Sequence, residues 1–85
     1  MTVPVHPGEQ IKLDMDDLGL NTFKLSKILG VPFGYLQNIL DGHQGLLEID
    51  CRRLAAWSGT SVQYWLNLQS NYEKEKEEQR VHHQG

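Results

Sequence analysis

Gly30 divides two short stretches whose apolar residues repeat at helical spacing. Leu25, Ile28 and Leu29 lie before it; Leu36, Ile39 and Leu40 lie after it. The link between them is Gly30-Val31-Pro32, long enough only for a corner. Glycine takes positive φ at no steric cost, and proline cannot continue a helix. The pattern therefore predicts two helices packed across a tight turn, with Leu25, Ile28 and Leu29 as the buried face of the first.

A helix-turn-helix unit makes stricter demands, and the window Thr22 to Asp41 meets them. Apolar residues belong at its fourth, eighth, tenth, fifteenth and eighteenth places, which here are Leu25, Leu29, Val31, Leu36 and Ile39. A small residue belongs at the fifth place, where the helices touch, and Ser26 stands there. Glycine belongs at the ninth, and Gly30 stands there. Periodicity alone yields several of these matches in any helical pair. The glycine together with the small residue makes the pattern specific.

Three more helices follow from the same reasoning. His6-Pro7-Gly8-Glu9 reads as a helix start, because proline suits the first turn and Glu9 complements the macrodipole. Ile11, Met15 and Leu18 form its stripe, and Gly19 supplies a left-handed stop. Asn21 or Thr22 caps the next helix. Residues 43–47 connect to a helix over 48–58, with Cys51, Leu54, Ala55 and Ser58 on one face and Gly59 closing it. Ser61 caps a fifth helix carrying Trp65, Leu68 and Tyr72. The charged run 73–80 extends it as a solvated end, and 81–85 is expected to be disordered, as are residues 1–5. No segment alternates with period two, so the fold class is all-α with five helices. The expected division is a flexible start (1–5), the folded domain (6–72) and a charged extension with its tail (73–85).

Composition excludes several functions. With 85 residues there is room for one core, marginal alone and favoured by a partner. No apolar run has the length of a membrane span and the start lacks a signal-peptide pattern, so no membrane association and a cytoplasmic location are expected. Cys51 is the one cysteine, so no intrachain disulfide forms. His6, His43, His82 and His83 are not at metal-ligand spacing, and no nucleophile–base pair stands out. No metal, no cofactor and no catalytic residue are expected. The net charge of −3 excludes a generic basic nucleic-acid binder.

Two motifs flank the helix-turn-helix. One is His6-Pro7-Gly8-Glu9; the other is Gly59-Thr60-Ser61 followed by Tyr64-Trp65-Leu66-Asn67-Leu68-Gln69. With them, the chain from about His6 to Tyr72 resembles the HigA-type antitoxins, a branch of the phage-repressor-like (XRE) helix-turn-helix family. The resemblance implies a phage-repressor-like domain and a homodimer that binds operator DNA and represses its own operon. It also implies a cognate toxin partner, a ribosome-dependent mRNA-cleaving enzyme. The sequence departs from the family pattern at Pro32, Phe33, Gly34 and Asn38 in the third helix, at Leu47-Glu48 and at Ser58.

In a helix-turn-helix the N-terminal half of the second helix of the motif faces the bases. That assigns Phe33, Gly34, Gln37 and Asn38 to a palindromic double-stranded operator, with amides suited to adenine and Phe33 to thymine methyls. Thr22, Lys24, Tyr35, His43 and Gln44 are expected to reach phosphates. Residues 21–45 carry Lys24 and Lys27 against Asp41, little for non-specific binding. Trp57, Trp65, Leu68 and Tyr72 are many large apolar groups for so small a chain; some of them fill the core around the fourth and fifth helices, Trp65 and Leu68 first, and the group is assigned to the dimer interface, with Trp57 as its exposed anchor. Two other readings fit the same residues. One is a stand-alone repressor without a toxin. The other, suggested by the acidic balance and Pro32-Phe33-Gly34, is a protein-binding module without DNA.

Overall fold

Local chemistry starts and stops each helix. The computed structural model describes the backbone of residues 5–84 and the side chains of residues 5–78. Five helices result: α1 (Pro7–Leu18), α2 (Thr22–Leu29), α3 (Phe33–Leu40), α4 (Glu48–Ser58) and α5 (Val62–Gln84). No strand occurs among the described residues. Asn21, not Thr22, caps α2, its Oδ1 accepting the Lys24 N–H at 2.8 Å. Ser61 caps α5 through the Tyr64 N–H at 3.1 Å. The corner between α2 and α3 turns on Gly30 at φ 74°, and the Ser26 carbonyl accepts both the Gly30 and Val31 N–H groups.

α1 lies over α3, α2 bridges α3 and α4, and α4 packs along α5. The core between them holds Ile11, Met15, Leu25, Leu36, Ile39, Leu40, Leu46, Cys51, Leu54, Ala55 and Trp65. Burying each large apolar side chain contributes about 1.5–3 kcal/mol. Trp65 is 0% exposed and is the largest of them. Its indole N–H donates to Thr60 Oγ1 at 2.9 Å, so its polar end is satisfied at the turn containing Gly59.

The flanking motifs meet at the end of α3. His6 is buried, and its Nδ1 accepts the Gly8 N–H at 2.9 Å, making the imidazole the cap of α1. Gly8 then presses on α3: a Cβ there would collide with the Ile39 carbonyl oxygen and stand 3.1 Å from Leu40 Cα. From the other side, Gln69 Oε1 accepts the Leu46 N–H at 2.8 Å, and Tyr72 lies edge-on to the His6 ring with centroids 4.8 Å apart. The motifs are thus two halves of a clamp around the α3–α4 connection.

Several expectations differ from what is found. Leu18 is 60% exposed, because it sits on the last turn of α1 and borders an open groove with Trp57 and Tyr64. Ile28 is 54% exposed, because the buried face of α2 runs through Leu25, Ser26 and Leu29. At 100° per residue, Ile28 falls about 100° from the middle of that face. Leu46, expected only as part of a connection, is a core residue. α5 continues to Gln84, through residues expected to be disordered. Glu, Lys and Gln are strong helix formers, and neither glycine nor proline interrupts the run before Gly85. The 23-residue helix is about 35 Å long and gives the molecule its 45 Å long axis. Expectations for residues 1–4 and Gly85 lie outside the described residues.

The clamp makes two predictions. Gly8→Ala should lower stability by about 1–3 kcal/mol, because the opposing atoms are backbone and cannot swing aside. Thermal unfolding checks it. The second concerns acid. Burial lowers the pKa of His6 from its ordinary 6.5, outweighing the backbone of Gln44 and Glu9, which raise it; Lys76 and Lys12 lower it further. The unfolded chain therefore takes up this proton first, so stability from His6 is complete above about pH 6.5 and declines as pH falls below it. His6→Asn keeps a capping oxygen without a titrating ring. It should be less stable than the parent at pH 8, and chemical denaturation from pH 8 to 5 should show that gap narrowing.

Candidate nucleic-acid interface

Beyond the corner at Gly30, α3 turns its first residues outward. Pro32 precedes it with extended backbone, and its carbonyl accepts the Leu36 N–H at 3.1 Å. No side chain caps the first turn. Phe33 is 50% exposed, and Pro32, Gly34 and Asn38 are exposed with it. Leu36, Ile39 and Leu40 face inward, so one side of α3 belongs to the core and the other to solvent.

Gln37 is half-buried, and its Nε2 donates to Asp41 Oδ1 at 3.0 Å. This i,i+4 bond holds its amide along the helix and occupies one of its donors. The Asn38 amide makes no bond among the described residues, so its oxygen and NH2 both remain available. On α2, Thr22 is half-buried and Lys24 is exposed at the first turn. Lys27 stacks over the exposed ring of Phe23 at 4.5 Å. His43 is exposed just past α3, its N–H bound to the Asn38 carbonyl at 2.9 Å.

Two of the expected phosphate contacts are turned inward instead. The Tyr35 hydroxyl donates to Asp50 Oδ2 at 2.6 Å, and the same oxygen accepts the Leu47 N–H at 2.9 Å. Burial, then the bond to Asp50, pushes the Tyr35 pKa up to about 12, so the phenol keeps its proton. Gln44 is half-buried, its side chain close to the same hydroxyl and its backbone close to the His6 ring. Asp50 was missed in the sequence although it carries a signal: an acid three residues after a helix cap reaches back to the cap N–H. Its burial follows from Tyr35 approaching from α3, which the spacing does not show.

The four aromatic and apolar residues of the last third also separate. Trp65 is enclosed by its own chain, so its indole offers no surface to a second copy. Leu68 is half-buried against the core and Tyr72 half-buried against His6. Trp57 is half-buried and borders two open grooves, one with Leu18 and Tyr64, the other with Ile28 and Ala56. No helix among the described residues is long and apolar enough to cross a membrane.

No family model matches the chain. It is 35% identical over 74 residues to virulence-associated protein A′ of Dichelobacter nodosus, a match covering 86% of this chain and 64% of that protein. The chain thus spans less than two thirds of that relative. The structure superposes on the Pseudomonas aeruginosa antitoxin HigA, solved with the higBA promoter, at TM-score 0.88 and 27% identity over 95% of this chain and 89% of that one. It superposes on the antitoxin GraA at TM-score 0.90 over 94% of this chain. At 30% identity with GraA, of which it covers 87%, the chain belongs to the same family of antitoxin proteins.

Proposed function

We propose that this chain is the DNA-binding antitoxin of a toxin–antitoxin pair, acting on an operator of its own operon. The observation that carries this reading is the exposed N-terminal half of α3, held out beyond the Gly30 corner in a fold shared with a promoter-bound HigA. Two copies place two α3 helices about one duplex turn apart, roughly 34–36 Å, on a palindromic site. Trp57, Leu68 and Tyr72 with the outer face of α5 are the surfaces left for pairing, since Trp65 is used internally. The partner is an mRNA-cleaving toxin. It meets a preformed surface, because the core is closed without it.

Asn38 is the principal base reader in this arrangement. A bidentate bond to adenine needs a free donor and a free acceptor on one amide. Asn38 has both, whereas Gln37 shares its NH2 with Asp41. Phe33 adds apolar contact. Lys24 and Thr22 at the first turn of α2 and His43 after α3 position the phosphates.

Titration against the duplex upstream of its own coding sequence, and against a scrambled duplex, tests the reading. Asn38→Ala should weaken operator binding by about 1–3 kcal/mol and leave the scrambled duplex unchanged, with a smaller effect for Gln37→Ala. Lys24→Ala should weaken both duplexes alike and lower the salt slope by about one. Tyr35→Phe should cost about 1–3 kcal/mol of stability, by stripping a bond from buried Asp50, without changing affinity. Equal binding of the two duplexes by the parent chain would favour a protein-binding module instead. Sedimentation at micromolar concentration should give a dimer; a 9.7 kDa species there contradicts the paired α3 geometry.

A further inference from the structure

Seven glycines are described, and six have a reason inside the chain. Gly19, Gly30, Gly42 and Gly59 hold positive φ between 68° and 81°. Gly8 meets the backbone of α3, and Gly45 lies against the amide of Gln69. Gly34 has neither reason. It is helical with φ outside the positive region, and beyond its chain neighbours and the backbone of its own helix no heavy atom stands within 4 Å of where its Cβ would be. Alanine would fit there without strain and would favour the helix. The fold therefore gives no account of this glycine.

Its place suggests one. Gly34 lies on the first turn of α3, which faces the bases in a helix-turn-helix. Pro32 and Phe33 precede it, both exposed and both uncharged. We propose that Gly34 is the point of closest approach between α3 and the DNA duplex, its missing side chain seating the Phe33 ring on the methyl group of a thymine. The thymine methyl is the one apolar group on the major-groove edge, so an apolar first turn reads thymine and little else. A Cβ at position 34 would hold the helix away from the groove and lift the ring off the methyl. The inference rests on the DNA-binding reading above and adds the close approach at Gly34 on which the Phe33 contact depends.

The test joins stability to binding. Gly34→Ala should melt about 2–6 °C higher than the parent by circular dichroism. It should bind the duplex upstream of its own coding sequence at least tenfold more weakly, by an order-of-magnitude expectation for a displaced helix. That duplex is then made with deoxyuridine in place of thymine, one position at a time. In the parent chain, loss of the one contacted methyl in a single half-site should weaken binding about fourfold, the worth of one buried methylene-sized group. Phe33→Ala should be blind to the same replacement. The proposal is overturned if Gly34→Ala binds as the parent does, if it melts lower, or if no thymine in the series matters. Should the parent itself fail to distinguish this duplex from a scrambled one, the DNA-binding reading falls and the proposal with it. The parent's own titration separates that outcome from the others.

Discussion

The last turn of α3 is set by a backbone-to-backbone contact with the first turn of α1. Only a residue without a Cβ allows Gly8 so near the Ile39 carbonyl and Leu40 Cα. The contact fixes the spacing of the two helices, and the core between Ile11, Met15, Leu36 and Leu40 is packed to that spacing. The His6 cap on Gly8, the Gln69 bond to Leu46 and the ring contact of Tyr72 with His6 all converge on the same end of α3. The two flanking sequence motifs are therefore structural devices. Neither supplies a residue to the exposed face of α3.

A second anchor acts farther along the helix. Tyr35 donates to buried Asp50, which also holds the start of α4. A buried carboxylate is costly unless its lone pairs are used, and here one oxygen takes two donors. Every polar side-chain atom in the described interior has a partner. With its C-terminal end clamped and its first turn tied to α4, α3 has little freedom to reorient. Its exposed positions are therefore held in one arrangement before any partner arrives, which limits the ordering cost of binding. Rigidity of this kind comes from packing and buried polar bonds, not from the helix itself, since eight residues are too few to be stable alone.

Helix number, order and the corner at Gly30 were legible because they are written locally, in caps, stop signals and periodicity. Ser26 was legible as a contact residue, yet its consequence for Ile28 was not: a buried serine rotates the inward face of α2 and leaves the isoleucine outside. Leu18 escaped for a related reason. Periodicity shows which side of a helix a residue takes, not whether a neighbouring helix extends far enough to cover it. Trp65 was legible as a core residue and Trp57 as an outlying one, but the bond from Trp65 to Thr60 was not, since it depends on how α4 meets α5. At the site, helical geometry places Phe33, Gly34 and Asn38 on the exposed face, while Gln37 is half-buried and bonded to Asp41. The inward turn of Tyr35 and Gln44 was not legible, because their partners lie in other elements of the chain.

Charge distribution then bears on how such a protein selects DNA. The chain carries a net −3, and its acidic residues include Asp14, Asp16 and Asp17 on α1. Charges more than about 8–10 Å from a phosphate are largely screened at physiological salt, so residues at the interface decide. There, Lys24 stands exposed, Lys27 is drawn over Phe23, and Asp41 offsets one of them. Non-specific affinity comes almost entirely from phosphate neutralisation, and this surface neutralises few phosphates. Base contacts are not weakened by the same shortage, because amide and methyl recognition do not depend on net charge. On the DNA-binding reading proposed above, this deficit of cations lowers the attraction to random and matched sequence alike. On that reading the ratio of the two affinities is set by the amide and methyl contacts of α3, which the charge deficit leaves untouched.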